Sequence, residues 1–143
     1  MTLVGSLHVP LLAEEAFRLF TATGERKWVD GWRPHFPVPV EDDAEVGTVF
    51  ETDGDGYHVT WIVVDRDADR RIRYARVAAG RDAGTVEVEL RPAGGETEVV
   101  VTYRLTPLGA GGERWLHGFA AEYEAFLSSW ETAIGEYIRS SSR

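Results

Sequence analysis

The stretch ERWLHGFAAEYEAFLSSWETAIGEYIR, residues 113–139, decides the fold of this chain. Its apolar residues recur at the spacing of an amphipathic helix, inside an arc of roughly 100°. They are Leu116, Phe119, Ala120, Tyr123, Leu127, Trp130, Ile134, Tyr137 and Ile138. At 1.5 Å per residue, a helix of this length measures roughly 40 Å. Such a helix needs a broad apolar surface to cover, and because no second long helix is predicted, we expect that surface to be a sheet.

Six upstream segments have the pattern of β-strands. The first, residues 3–9, alternates in character and ends at Pro10. The turn at 53–56 (DGDG) is a strong hairpin signal, because glycine readily adopts positive φ. Short turns between successive strands predict an antiparallel meander, and the clean alternation in residues 85–91 predicts one covered and one solvent-facing side. The five later strands are predicted at residues 46–52, 57–65, 71–78, 85–91 and 97–105.

Two short helices are predicted between the first two strands. Residues 13–20 place apolar side chains on one side, and Gly24 ends this helix. A second helical turn carries Trp28 and ends at Gly31. Residues 32–39 contain three prolines, so they are irregular, and their aromatic content indicates packing against the core. Residues 107–112 are predicted as a loop that returns the chain across the sheet.

Composition limits the possible partners. With 143 residues and 43% hydrophobic content, residues 1–143 are expected to form a single domain with a proper core. A net charge of −9 argues against nucleic acid and against an anionic membrane surface. The absence of cysteine excludes disulfides and a thiol nucleophile. Without an apolar leader or a membrane-spanning run, a soluble cytoplasmic protein is expected, with its oligomeric state left open.

Two local stretches carry a family resemblance. Residues 13–20 (AEEAFRLF) with 24–32 (GERKWVDGW), and residues 47–50 (GTVF), resemble the START/Bet v 1-like superfamily, whose bacterial members are often called the polyketide cyclase/dehydrase or SRPBCC group. The resemblance covers essentially the whole chain. It implies an α+β helix-grip fold, in which a six-stranded, curved antiparallel sheet wraps around a long C-terminal helix and two short helices follow the first strand. The superfamily mixes carriers, cyclases, hydrolases and co-chaperones, so the fold alone does not assign a function.

The resemblance also implies a deep cavity between sheet and last helix, usually for an apolar or aromatic small molecule. Each candidate wall residue taken singly also fits a plain core, but together they favour an aromatic-lined pocket. The predicted wall consists of Trp32 and Phe36 from the loop, Phe50, Trp61, Tyr74, Val88 and Tyr103 from the strands, and Phe119, Tyr123, Leu127 and Trp130 from the helix.

Two polar residues are candidates for chemistry. His35 lies among aromatics near the expected cavity mouth, where it could act as a general acid or base, or could simply hold the loop by a hydrogen bond. Arg76 shares a strand face with Tyr74. It either faces inward, where it needs an acidic partner or an anionic ligand, or lies at the rim in a surface ion pair, which is the favoured interpretation.

The histidine spacing does not predict a metal site. His8, His58 and His117 are far apart in the chain, without a helical i, i+4 pair, and no cofactor is predicted. His117 is expected in solvent at the edge of the helix stripe. For His58 the pattern leaves open which strand face is covered, because both faces carry apolar residues.

Three functions remain open from the sequence. The first is the binding of a hydrophobic or aromatic small molecule in the cavity, which predicts a nearly apolar lining. The second is a polyketide cyclase/dehydratase-type enzyme, which predicts at least two polar side chains converging inside the same cavity. The third is a protein-interaction module like the Hsp90 activators, which would use an apolar patch on the outer face of the sheet. The alternation in residues 85–91 argues against such a patch.

Overall fold

The order of the elements follows the hydrophobic pattern along the chain. The computed structural model describes residues 1–54 and 56–141, so the predicted turn at 53–56 includes one residue, Asp55, outside the described part. The strands are β1 (Thr2–Val9), β2 (Val49–Gly54), β3 (Tyr57–Asp67), β4 (Arg71–Ala78), β5 (Asp82–Ala93) and β6 (Glu96–Pro107). The helices are α1 (Ala13–Phe17), α2 (Gly109–Ala121) and α3 (Tyr123–Ser141), with 3₁₀ turns at Arg18–Phe20 and Gly24–Lys27.

The six strands form one antiparallel sheet in the order β1-β6-β5-β4-β3-β2. Hairpin connections place β2 to β6 side by side, and β1 pairs with β6, so that β1 and β2 are the two edges. The helices cover one face of this curved sheet, and α3 crosses β1. The α+β helix-grip prediction is confirmed.

Two strand boundaries differ from the predicted ones by three residues, and both of these differences arise at turns; the other strand boundaries lie within two residues of the prediction. β2 begins at Val49 and not at residue 46, because Gly47 adopts φ +96° in a turn. β5 begins at Asp82, within residues that were predicted as a turn. The ladder extends to this point because Asp82 pairs with Ala78 across a short hairpin turn.

The predicted C-terminal helix is two helices. α2 ends at Ala121, the following residue Glu122 has a φ of −100° and a ψ of 3° that are not helical, and α3 begins at Tyr123. Neither glycine nor proline marks this break, so the periodic pattern could not reveal it. The predicted loop at 107–112 was also wrong, since α2 already begins at Gly109, where the glycine takes φ +74°.

Glycine permits the close approach of α3 to the edge strand. A Cβ atom placed on Gly5 of β1 would lie 2.6 Å from Cδ1 of Leu127 and 3.3 Å from the ring of Tyr123. Both of these helix residues are buried in the core. α3 therefore packs against β1 through buried side chains. An adjacent face of α3, which carries Phe126 and Trp130, is left to face the cavity.

The outer face of the sheet has two different halves. On β5 it carries Glu87 and Glu89, as the alternation in that strand predicted. On β2, β3 and β4 it carries exposed apolar side chains, of which Val49, Ile62 and Val77 are 37%, 38% and 47% exposed. The alternation in residues 85–91 thus correctly predicts a polar outer face for β5. The outer face near the β2 edge is instead partly apolar.

Candidate functional site

A cavity of about 230 Å³ lies between the sheet, α3 and the segment that carries the 3₁₀ turn Gly24–Lys27. This volume is just below the roughly 300–1,000 Å³ of pockets that hold drug-sized ligands, so it suits a molecule of one or two rings. Thirteen residues line it: Phe20, Glu25, Val29, Trp32, Phe50, Trp61, Tyr74, Arg76, Val86, Val88, Tyr103, Phe126 and Trp130.

The strand register builds the floor of the cavity. Tyr74 of β4 pairs with Val86 of β5, which pairs in turn with Tyr103 of β6. Directly paired residues project from the same face of a sheet, so these three side chains form one row. In the adjacent row Trp61 pairs with Arg76. The cavity therefore combines apolar, phenolic and cationic groups on a single face.

Aromatic side chains from the helix and the loop close the cavity. Phe126 and Trp130 of α3 contact each other edge to face, with ring centroids 5.0 Å apart. Trp32 meets Trp61 in the same way at 5.9 Å, and its indole N–H donates to the carbonyl of Ala22 at 2.8 Å. Because this N–H group is already bonded, Trp32 offers the cavity its apolar ring.

Seven of the eleven predicted wall residues line the cavity and four do not. Phe36 packs on the outer side of Phe50, at a centroid distance of 5.8 Å. Phe119 stacks on Trp115 at 5.1 Å, while Tyr123 and Leu127 pack against β1. Helical spacing identifies the covered face of a helix. It does not distinguish the side chains on that face that pack in the core from those that line the cavity. The seven are Trp32, Phe50, Trp61, Tyr74, Val88, Tyr103 and Trp130.

His35 lies outside the cavity. Its backbone N–H and C=O pair with Glu51 of β2, each at 2.8 Å, and its side chain is exposed. Within residues 1–54 and 56–141 the imidazole makes no hydrogen bond or ion pair. The loop is thus held by the backbone of His35, and its side chain does not line the cavity that contains Arg76.

Arg76 is buried, so the favoured expectation of a rim ion pair was wrong. Its Nε and Nη2 donate to the two oxygens of Asp82 at 2.9 and 3.1 Å. Asp82 also accepts a hydrogen bond from Nε of Arg81 at 2.9 Å. Because residues 80–84 were predicted as a turn, the sequence did not identify Asp82 as the buried partner on the adjacent strand.

Glu25 is the polar lining residue that the sequence analysis missed. It occupies the 3₁₀ turn Gly24–Lys27, where a glutamate is an ordinary helix-start residue. Part of its surface faces the cavity, and burial raises the pKa of its carboxyl group well above the usual value, with a further contribution from the charge of Asp43. Val86 could have been predicted, because the alternation in β5 places it beside Val88 on the covered face.

The cavity lining is therefore not all apolar. Glu25, Arg76 and the hydroxyl of Tyr103 belong to three different elements and face the same space. Burial raises the pKa of the Tyr103 hydroxyl, and the charge of Arg76 acts in the opposite direction. The charge of Glu25 also influences this pKa, so Tyr103 lies within electrostatic range of both charged groups.

Among the described residues no group of three His, Asp or Glu side chains is arranged to hold a metal ion. His58 is exposed and contacts two carboxylates, Glu51 at 2.7 Å and Asp53 at 2.9 Å. None of the helices described has the length and apolar character needed to cross a membrane.

Comparison with known proteins places this architecture in a family. Many solved structures share the fold, including the three that follow. CalU16 from Micromonospora echinospora has a TM-score of 0.69 and 17% identity, over 96% of this chain and 74% of that one. Ara h 8.0201 has a TM-score of 0.70 and 13% identity, over 97% and 98%. The Aha1 dimer from Colwellia psychrerythraea has a TM-score of 0.65 and 14% identity, over 94% and 96%.

No curated protein sequence matches this chain. The family described as "Activator of Hsp90 ATPase homolog 1-like protein" matches residues 11–130, which are most of the chain and include every lining residue of the cavity. The resemblance to the START/Bet v 1-like superfamily is thereby confirmed. The chain belongs to the Activator of Hsp90 ATPase homolog 1-like family of that superfamily.

Proposed function

We propose that this protein binds a small apolar or aromatic molecule in the cavity. The observation that carries the proposal is the lining itself, in which eight of thirteen residues are aromatic and three more are valines. Pockets for small molecules are mostly apolar, with a few polar groups that fix the orientation of the ligand. The Bet v 1-like fold generally binds small hydrophobic ligands, which supports the same function.

The test is a substitution that places a larger side chain at the floor of the cavity. Val86 is buried in the middle of the row between Tyr74 and Tyr103, so Val86→Phe places a ring where the ligand would lie. Val77→Phe is the matched control, because Val77 is exposed on the outer face of β4. We expect the neutral naphthalene dye Prodan to bind the wild-type protein and Val77→Phe with similar affinity, and to bind Val86→Phe at least about tenfold more weakly.

Fluorescence titration measures these affinities, and circular dichroism establishes that both variants are folded. Equal affinity of the two variants, with both folded, means that the dye binds elsewhere and contradicts the proposal. The same holds if the wild-type protein leaves the emission of Prodan unchanged. Trp61→Ala provides a second change to the wall, since Trp61 covers the cavity beside Arg76.

A second candidate function, proton transfer in a cyclase- or dehydratase-type enzyme, is favoured by the three polar groups on the lining. Burial raises the pKa of the Glu25 carboxyl group well above its usual value, and a raised pKa makes a carboxylate a stronger general base. Arg76 and the hydroxyl of Tyr103 are donors that could stabilise an enolate oxygen. Glu25 would take the α-proton of a ketone, the electron pair of the broken C–H bond would pass to the carbonyl oxygen, and the proton would then be returned.

The bicyclic ketone 2-tetralone is a suitable probe for this reaction. NMR in D₂O follows the exchange of its α-protons, and acceleration by the protein that is lost in Glu25→Gln supports the enzyme function. Exchange at the buffer rate in the presence of folded wild-type protein excludes it for this class of ketone. Dye binding is unaffected by either result, so the two functions are tested independently.

A further inference from the structure

The polar end of the cavity carries an uncompensated positive charge. Arg76 and Arg81 are 7% and 6% exposed, and the single carboxylate between them, Asp82, is fully buried. Within the described part of the chain, neither arginine has another acidic partner within ion-pair distance. Two guanidinium groups and one carboxylate leave a formal charge of +1 in a region of low dielectric, where an unpaired charge is costly.

Arg76 has a donor that its protein partner does not use. Its Nε and Nη2 bind Asp82, whereas Nη1 makes no hydrogen bond with any described residue. The guanidinium is fixed by that pair and by the face of the Trp61 ring, 5.0 Å from the ring centroid. Arg81 instead lies over the rings of Trp115 and Tyr57 and does not line the cavity.

The hydroxyl of Tyr103 is the second unused group. Three tyrosines are buried around the sheet, and two of them donate to carbonyls: Tyr74 to Phe20 at 2.9 Å and Tyr123 to Val101 at 2.7 Å. The Tyr103 side chain is only 5% exposed, yet its hydroxyl has no partner among the described residues. Among the described side-chain N and O atoms, Nε of Arg71 is the one that is fully buried without a partner, so the Tyr103 hydroxyl keeps some accessible surface and is available to a ligand.

We infer that the ligand of this cavity is a carboxylic acid built on one or two apolar rings, whose carboxylate accepts hydrogen bonds from Nη1 of Arg76 and from the hydroxyl of Tyr103. The inference rests on the proposed binding function and names its ligand class. A carboxylate neutralises the excess charge of the cluster and satisfies both donors. The rings then occupy the space between Val86 and the indole of Trp130.

Glu25 does not oppose the binding of an acid. Its carboxyl group has no side-chain partner among residues 1–54 and 56–141, and its burial favours the neutral form. Glu25 and Arg76 both line the cavity, but the carboxyl group of Glu25 makes no described ion pair with the guanidinium of Arg76, which leaves that guanidinium available to an acid.

Paired probes of equal shape test the inference. 2-Naphthoate carries the carboxylate, and 2-naphthamide is its neutral counterpart. Because hydrogen bonds to charged groups contribute about 1.5–3 kcal/mol, we expect isothermal titration calorimetry to show naphthoate binding at least about tenfold more tightly. This ratio should fall several-fold in Tyr103→Phe and disappear in Arg76→Gln.

Tyr123→Phe is the matched control for Tyr103→Phe. It removes the hydroxyl of a neighbouring tyrosine that bonds to the backbone of β6 and does not line the cavity, so the ratio should stay at its wild-type value. If Arg76→Gln fails to fold, Tyr103→Phe still tests the inference. We expect Tyr103→Phe to fold, because the Tyr103 hydroxyl makes no hydrogen bond with the described residues.

The outcomes separate the ligand class from the binding function. Equal affinities for naphthoate and naphthamide overturn the inference, and so does a preference that survives unchanged in Tyr103→Phe. If Prodan binds in either case, the proposed function stands without the acid. If Prodan and both naphthyl compounds fail to bind the folded wild-type protein, the proposed function fails as well.

Discussion

Arg76 and Asp82 form a buried two-point ion pair across the β4–β5 hairpin, with N–O distances of 2.9 and 3.1 Å. Asp82 lies on the covered face, two residue pairs nearer the turn than Arg76. Nε of Arg81, in the turn itself, donates to the same carboxylate. A single acidic residue thus joins the end of the hairpin to the polar end of the cavity.

Removal of this carboxylate should be strongly destabilising. Asp82→Asn leaves two buried guanidinium groups without a countercharge, and breaking a buried pair in this way costs about 3–5 kcal/mol. Asp65→Asn is the matched control, because Asp65 pairs with Arg71 at 2.7 Å but is 39% exposed, and exposed pairs contribute about 0–1 kcal/mol. Urea unfolding measures both, and equal losses would contradict the role assigned to Asp82.

The hydroxyl groups of Tyr123 on α3 and Tyr103 on β6 should contribute differently to the free energy of unfolding. Tyr123→Phe loses the hydrogen bond to the carbonyl of Val101 and should reduce the free energy of unfolding by about 0.5–1.5 kcal/mol. Tyr103→Phe loses no bond within the described protein and should be neutral or slightly stabilising. Thermal unfolding of the pair provides the comparison, and a greater loss in Tyr103→Phe would mean that its hydroxyl is bonded in solution.

Glu25 should make the stability of the protein depend on pH. Its carboxyl pKa is raised in the folded state, first by burial and then by the charge of Asp43. The folded protein therefore binds this proton more tightly than the unfolded chain does, and the free energy of unfolding falls as the pH rises from the usual glutamate pKa through the raised one.

Glu25→Gln removes this dependence. The stability of the variant relative to wild type should increase with pH across that interval, which denaturant unfolding at a series of pH values from 4 to 9 can follow. A difference that stays constant over the series would show that the carboxyl group is not held in its neutral form by burial.

The fold could be predicted because its elements are amphipathic at the correct periods. The stripe in residues 113–139 and the alternation in residues 85–91 each specify one covered face, and two such faces must pack together. The break at Glu122 could not be predicted, since its residue type is compatible with a continuous helix.

The site was predictable in its apolar part and not in its polar part. Val88 follows from the alternation in residues 85–91, but the partner of Arg76 depends on a hairpin register that begins inside a predicted turn. Glu25 reads as a surface glutamate, and only the packing of its 3₁₀ turn against the sheet and α3 brings it to the cavity. Long-range register and tertiary packing, which local patterns do not contain, decide these positions.

His58 should titrate above the ordinary histidine range. Hydrogen bonds to Asp53 and then to Glu51 raise the pKa of its imidazole, because both carboxylates stabilise the protonated ring. Asp53→Asn should lower this pKa toward the usual value, and high salt should act in the same direction at so exposed a site. NMR titration of the ring protons measures it, and an unchanged His58 pKa in Asp53→Asn would contradict the contact.

Two of the glycines of α2, Gly112 and Gly118, should respond in opposite directions to the same substitution. Gly112 packs against the β4–β5 turn, where an added Cβ would lie 2.2 Å from the carbonyl oxygen of Arg81. Gly118 has no such neighbour within 4 Å. Gly112→Ala should therefore destabilise the protein by about 1–3 kcal/mol through overpacking, whereas Gly118→Ala should stabilise the helix by up to about 1 kcal/mol.

Chemical denaturation of the two variants under identical conditions measures this contrast. Because Arg81 shares its carboxylate partner with Arg76, displacement of its turn should also weaken naphthoate binding in Gly112→Ala, while Gly118→Ala leaves that affinity unchanged. Equal stability changes in the two variants would mean that α2 does not approach the turn as closely as the carbonyl of Arg81 indicates. A stability loss without any change in naphthoate affinity would mean that the turn and the cavity are not mechanically connected through Asp82.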